Sequence, residues 1–243
     1  MSFELSQQRV VVTGAARGIG ASIAACLNGL GASVVGWDRD TDAVENPEVF
    51  QHLCTVDVTR EDSLAGAWEQ TLEQLGGIDI LVANAGVNGP TKPAWEYTLR
   101  EWEHVISVDL TGVFLSTRQV IPHMRANGYG RLIVISSIAG KEGNAGACAY
   151  GAAKSGVIGY VKGLARELVD DGITVNAVAP VITETSLMAE MSDTYIAQKR
   201  SLIPMNRFCT PQEIADMTAW IASPRCSFTT GQVFDVSGGR ATY

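Results

Sequence analysis

Seven short β-branched runs, separated by amphipathic stretches, are the first constraint on how this chain folds. Residues 9–13, 33–37, 52–56, 78–83, 131–136, 174–179 and 232–236 read as strands, and most are apolar on both faces. Between them, 18–30, 61–75, 98–109, 112–126, 151–170 and 211–222 carry apolar residues at helical spacing. The last of these opens on Thr210-Pro211-Gln212-Glu213, a capping threonine, a proline at the first helical position and an early acid. Strands buried on both faces need helices on both faces. Right-handed crossovers then give an α/β fold with a doubly wound parallel sheet. No linker, repeat or low-complexity segment interrupts the pattern, so residues 1–243 are expected to form one domain.

The first strand runs into Thr13-Gly14-Ala15-Ala16-Arg17-Gly18-Ile19-Gly20 and then into helical sequence. Glycines here permit a tight turn and close backbone approach to a ligand, while the helix N-terminus beyond favours negative charge. In a Rossmann-type fold that is the place of a dinucleotide pyrophosphate. Asp38 closes the second strand, eighteen residues after Gly20. A carboxylate there accepts from an adenosine ribose and repels a 2′-phosphate, favouring NAD over NADP. Arg17 and Arg39 pull the other way, and repulsion by Asp38 is expected to prevail. Asp57, after the third strand, is either a partner for the adenine amino group or a turn aspartate. Asn84-Ala85-Gly86, after the fourth, either supports a cofactor or simply ends the strand.

The chemistry resides further on. Tyr150 and Lys154 are four residues apart and share one face of a helix, and Ser137 precedes Tyr150 by thirteen residues. A free phenol titrates near pH ~10 and is a poor base at neutrality, whereas an ammonium a few ångströms away favours the phenolate. A serine hydroxyl at the end of a strand can hold a substrate oxygen against that phenol. Such a trio moves a proton to or from an alcohol or carbonyl. A Tyr-x-x-x-Lys pair alone is common on exposed helices, so the rest of the chain has to supply the context.

Composition narrows the partners. A formal charge of −8 argues against nucleic acid or an anionic membrane surface. No apolar run reaches the ~20 residues of a membrane span, and the first residues lack the order of a signal peptide. Five scattered cysteines without a Cys-x-x-Cys pair fit a cytoplasmic chain with reduced thiols. Cys148, two residues before Tyr150, reads as a small packing residue. His52, His104 and His123 stand alone, and no metal site is expected.

With these residues assembled, the chain resembles the short-chain dehydrogenase/reductases from about residue 7 onward. The resemblance rests on Thr13-Gly14 to Gly20, Asp57-Val58, Asn84-Ala85-Gly86, Ser137, Tyr150-x-x-x-Lys154, Asn176, Pro180 and the closing Gly231–Gly239. It implies that Tyr150 is the acid/base, that Ser137 positions the substrate oxygen, and that Lys154 holds the nicotinamide ribose. At the cofactor it implies Gly14, Arg17, Gly18, Ile19 and Gly20 in the first turn, with Asp38, Asp57 and Val58 at the adenosine. Asn84, Ala85 and Gly86 would lie beneath the cofactor, and Pro180, Thr183 and Thr185 beside its carboxamide and phosphates. It also implies a homotetramer packed through the helices over 112–126 and 151–168. Two departures stand out. Asp109 replaces the asparagine that anchors a relay water in the family, and it is expected to attract Lys154 while activity survives. Val181 replaces the glycine after Pro180, adding a Cβ beside the nicotinamide.

Segments expected at the substrate are polar: 88–92, 141–144 including Asn144, and 183–186. That lining suits a hydroxylated, anionic small molecule better than a steroid. Residues 184–209 interrupt the strand-helix alternation and are expected to form a lid. Arg240, in a tail longer than the family norm, is expected to meet a substrate carboxylate, or else to be a solvated terminal residue. Tail and lining together resemble family members that act on sugar acids of the 2-keto-3-deoxy-L-fuconate or L-rhamnonate type. The alternatives are a 3-oxoacyl-carrier-protein reductase, which the 150–180 stretch resembles, and a dinucleotide-binding regulator without catalysis. Asp38 and the acidic pair Asp170-Asp171 oppose the former, and the intact trio opposes the latter.

Overall fold

Helices pack on both faces of the sheet, which is why the residues of its inner strands are apolar on both faces. In the computed structural model, which describes residues 4–184 and 193–243, seven parallel strands form one sheet. They are β1 (Arg9–Thr13), β2 (Ser33–Asp38), β3 (His52–Thr55), β4 (Ile80–Ala83), β5 (Gly130–Ile135), β6 (Ile173–Pro180) and β7 (Val233–Val236). Their order across the sheet is β3-β2-β1-β4-β5-β6-β7. The winding reverses between β1 and β4, whose registers pair Val10 with Ile80 and Val12 with Val82. Beyond the carboxyl ends of those two strands lies the crevice where this architecture binds ligands.

The helices cover both faces. They are α1 (Gly18–Gly29), α2 (Glu61–Leu75), α3 (Leu99–Ile106), α4 (Gly112–Asn127), α5 (Ala139–Glu142), α6 (Cys148–Leu168), α7 (Asp193–Ser201) and α8 (Pro211–Ala222). One core lies under α1 and α8, with Val10, Val12, Ile23, Leu27, Ile133 and Ile214 among its buried residues. The other lies under α2, α4 and α6, with Val11, Trp37, Leu81, Leu132, Val157 and Val161. Alternate residues of one strand thus serve opposite cores, as strand geometry requires.

The structure refines three sequence expectations. Helix α6 starts at Cys148 rather than 151, so Tyr150 lies within its first turn; Ala147 at its N-cap offers no capping side chain and gives no start signal. The helical stretch after residue 98 does not stop at 109, because a π-helical segment, Ser107–Thr111, joins α3 to α4. Single π turns of this kind are frequent at functional sites, and this one carries Asp109. Lastly, the stretch expected to be a lid is anchored at its far end. Ile203, Phe208 and Cys209 are buried in the first core, and Cys209 bridges Thr183. Ile203, Phe208 and Cys209 therefore belong to the packed body, while residues 204–207 between them are exposed; residues 185–192 of the expected lid lie outside the described residues.

Candidate active site

The glycine-rich turn is formed by contacts that exclude side chains. A Cβ on Gly20 would stand 1.9 Å from the Gly14 carbonyl oxygen, and one on Gly14 would stand 2.8 Å from Ala85 Cα. Gly14 and Gly18 also adopt positive φ, at 63° and 59°. The turn is cross-tied to the end of β4. Thr13 Oγ1 accepts from the backbone N–H groups of Asn84 and Ala85, each at 3.0 Å. The Asn84 amide donates to the carbonyls of Thr13 and Gly14, each at 3.0 Å. Asn84-Ala85-Gly86 is therefore a structural brace for the first turn as well as one edge of the crevice.

Around it stand the other residues expected at a dinucleotide. Asp38 Oδ2 accepts from Ala16 N at 2.9 Å and Oδ1 from Asp40 N at 3.0 Å, which fixes the carboxylate on the turn. Arg17 is exposed at the N-cap of α1, while Ile19 packs toward the core. Asp57 behaves as a turn aspartate, with Oδ1 accepting from the Thr59 hydroxyl at 2.6 Å and the Thr59 N–H at 2.9 Å. The Thr59 hydroxyl, chiefly, holds its carboxyl below the usual range. Val58 is buried against Gly112, where an added Cβ would come within 2.8 Å of Val58 Cγ2. Pro180 ends β6 and accepts from Ile138 N at 3.1 Å, joining that strand to the serine-bearing turn. Thr183 is buried, its hydroxyl donating to Val181 O at 2.9 Å. Thr185 lies outside the described residues. The shape of the turn, with no room for a Cβ at Gly14 or Gly20 and with the N-terminus of α1 behind it, fits a dinucleotide phosphate.

The three chemical residues emerge from adjoining elements. Ser137 lies just past β5, and its Oγ accepts from Ala139 N at 3.2 Å as α5 begins. Helices α5 and α6 touch so closely that a Cβ on Gly140 would lie 2.6 Å from the Lys154 carbonyl carbon. Ser155 Oγ donates to Gly140 O at 2.7 Å, and Ser136 Oγ to Lys154 O at 3.0 Å. These contacts set the serine turn against the helix bearing Tyr150 and Lys154. Lys154 is 3% exposed, its Nζ donating to Ile135 O at 3.0 Å and lying 5.6 Å from the centre of the Tyr150 ring. Tyr150 itself is half-buried.

Asp109 stands directly behind this group. It is fully buried, with Oδ1 accepting from Val87 N at 2.7 Å. Its Oδ2 lies 3.3 Å from Lys154 Nζ, an ion pair whose alignment falls short of a hydrogen bond. Burial pushes the Asp109 carboxyl above its ordinary range, against the opposing pull of Lys154 and of the Val87 N–H. A Cβ on Gly86 would meet Asp109 Oδ2 at 3.1 Å and Lys154 Nζ at 3.3 Å, so the β4 turn touches this pair too. Ile135 O, Val87 N and Ser136 are participants that motif spacing does not reveal. Only the fold brings them to the lysine.

The substrate-facing expectations fare unevenly. Segments 88–97 and 144–147 meet in one wall, with Lys92 N donating to Gly146 O at 2.9 Å. The Tyr97 hydroxyl bonds Pro90 O and Gly146 O in the same wall. Asn144 is exposed on it. Cys148 is exposed rather than packed, because it sits on the outer side of α6's first turn. Val181 points into the first core, 4% exposed, so its side chain fills packing space. Arg240 has a partner within its own chain. Its Nε lies 3.1 Å from Glu142 Oε2, both side chains being about three-quarters buried or more. The tail is held further by the Tyr243 hydroxyl donating to Lys141 O at 2.6 Å and by Lys141 pairing with Asp235 at 2.7 Å. Arg240 is thus tied to its own chain, and a substrate carboxylate meeting it would compete with Glu142. Asn176 bonds Thr229 O and Gln232 N, a brace for β7.

Known proteins are similar to this chain over nearly its whole length. A family model described as enoyl-(acyl carrier protein) reductase matches residues 14–241. The 2-dehydro-3-deoxy-L-rhamnonate dehydrogenase (NAD(+)) of Sphingomonas sp. (strain SKA58) is 39% identical over 96% of this chain and 95% of its own. The cis-4-hydroxycyclohexanecarboxylate dehydrogenase of Sinomonas cyclohexanicum is 37% identical over 98% of each. Among solved structures, a 3-ketoacyl-(acyl-carrier-protein) reductase from Brucella melitensis complexed with NADH superposes with a TM-score of 0.93 at 32% identity, covering 98% of this chain and 100% of that one. With the glycine turn, the β4 brace and the serine-tyrosine-lysine set in place on one sheet edge, the chain belongs to the short-chain dehydrogenase/reductase family.

Proposed function

We propose that this protein is an NAD-dependent oxidoreductase that interconverts a secondary alcohol and a ketone, with a hydroxylated sugar acid of the 2-keto-3-deoxy type as substrate. The reaction rests on one observation: a buried lysine fixed 5.6 Å from a half-buried tyrosine ring, with a serine on the adjoining turn. When bound, the nicotinamide takes up or supplies the hydride. The chain's own residues manage the oxygen. The Ser137 hydroxyl holds the substrate oxygen, and Tyr150 takes its proton in oxidation or returns it in reduction. Lys154, positively charged beneath the ring, stabilises the phenolate between the two steps. Asp109 and Ile135 O keep the ammonium in place.

Asp38 on the first turn supports NAD, since its carboxylate repels a 2′-phosphate. The substrate choice is supported by the similarity to the rhamnonate enzyme and by the polar wall carrying Lys92 and Asn144. A second relative acting on a carboxylate-bearing alcohol agrees with an anionic substrate. The competing reading, a 3-oxoacyl-carrier-protein reductase, is favoured by the Brucella neighbour. Against it, an acidic carrier needs basic residues at the mouth, whereas the chain carries a charge of −8. Residues 112–126 and 151–168 provide the helical faces through which we expect a homotetramer, and a cytoplasmic setting suits the five free thiols.

The test is a substrate panel with both NAD and NADP, followed by NADH or NADPH absorbance. Keto-deoxy sugar acids and aldonic acids should give the highest kcat/KM with NAD. Faster turnover of 3-oxoacyl thioesters with NADPH would transfer the assignment to the competing reading.

A further inference from the structure

The segment after β2 does something its sequence does not announce. Residues 39–51 form two short 3-10 turns, Thr41–Ala43 and Pro47–Val49, instead of a full helix. Both ends are pinned. Asp40 N donates to Asp38, Thr41 pairs with Thr55 at 3.0 Å, and Phe50 lies where a Cβ on Gly36 would meet its ring at 3.0 Å. Between the pins, Glu45 is drawn onto the glycine turn. Its N–H donates to Ala16 O at 2.9 Å, and its Oε1 accepts from Gly18 N at 3.4 Å.

Two carboxylates consequently grip one turn from either side of Arg17, Asp38 on the N–H of Ala16 and Glu45 on that of Gly18. Arg17 is the exposed cation of this turn, and with Arg39 beside Asp38 it is one of two groups able to attract an additional phosphate. We propose that Glu45 is a second determinant of dinucleotide choice, offsetting the charge of Arg17 so that a 2′-phosphate finds no net attraction. This inference rests on the dinucleotide reading of the glycine turn. The division of labour is chemical. Asp38 stands next to Arg39 at the end of β2, and Glu45, on the N–H of the residue after Arg17, offsets the cation within the turn.

The test is binding, read by fluorescence titration of NADH and NADPH with the full chain at low salt. Glu45→Gln preserves an acceptor for Gly18 N and removes only the charge. The ratio of NADPH to NADH affinity should rise about five- to tenfold, and the rise should shrink in half-molar salt as the charges are screened. Asp42→Asn, in the same segment and without a contact to the turn, should leave the ratio unchanged. An unchanged ratio in Glu45→Gln, an equal rise in Asp42→Asn, or a rise indifferent to salt would each overturn the proposal. Failure of the unmodified protein to bind either dinucleotide would instead strike the reading of the turn itself.

Discussion

At the glycine turn, the groups that would meet a ligand are backbone atoms, braced by Thr13, Asn84 and Asp38 and closed to a Cβ at Gly14 and Gly20. Across the crevice, the wall made by 88–97 and 144–147 presents exposed side chains tied together by only a few backbone bonds. The first region tolerates little substitution at these positions, because its geometry depends on the side chains of Thr13, Asn84 and Asp38 and on glycines whose neighbours leave no space for a Cβ. The second can change identity without disturbing the sheet. The contrast explains how one architecture keeps its reaction and varies its substrate, and why the relatives share the chemistry but not the molecule acted on.

The sharpest way to break this comparison is to disturb its rigid side at the buried charge pair. Lys154→Met should lower kcat by about 10²–10⁴-fold. It should also destabilise the fold by up to about 3 kcal/mol, because Asp109 is left buried without its cation. Adding Asp109→Asn should restore most of the stability and none of the activity, as thermal melts and turnover on the same preparations would show. Gly20→Ala comes next. A methyl 1.9 Å from Gly14 O forces the turn apart, with an expected loss of about 1–3 kcal/mol and of measurable NADH binding. Asp109→Asn alone should change kcat by less than about tenfold, because the proton-handling trio remains whole. Removing the negative charge leaves Lys154 freer to stabilise the phenolate, so the rise of oxidation rate with pH should begin at lower pH than in the unmodified protein.

The smallest effect lies away from the crevice. Glu213 caps α8 with Thr210 and pairs with Arg207 at 2.5 Å; Arg207, mainly, holds its carboxyl at about 2. A depressed carboxyl contributes stability that is complete above its unfolded value near ~4.5 and lost as pH falls toward 2. Because both partners are partly exposed, the contribution should not exceed about 1 kcal/mol. Melts of Glu213→Gln and the unmodified chain should therefore differ at pH 6 and converge only near pH ~2.

How much of this was legible from the residues differs along the same divide. Strands covered by helices on both faces must be apolar on both faces, and so the sheet could be read from β-branched runs. Helix α8 announced itself through Thr210, Pro211 and Glu213, which form the capping box observed. The π segment carrying Asp109 left no mark, since the partners of Asp109, Val87 and Lys154, lie 22 and 45 residues away. Glu45 and Arg240 were illegible for the same reason. Their partners, Gly18 and Glu142, lie 27 and 98 residues away. Local chemistry shows in sequence, whereas a charge's partner is decided by the packing that delivers it.

The central claim is that Tyr150 carries the proton while the glycine turn independently holds the dinucleotide, and one paired measurement on Tyr150→Phe tests it. With the best substrate of the panel, the variant should bind NADH as the unmodified protein does and lose turnover by at least about 10²-fold. A variant that binds NADH normally and keeps near-normal kcat would contradict the claim.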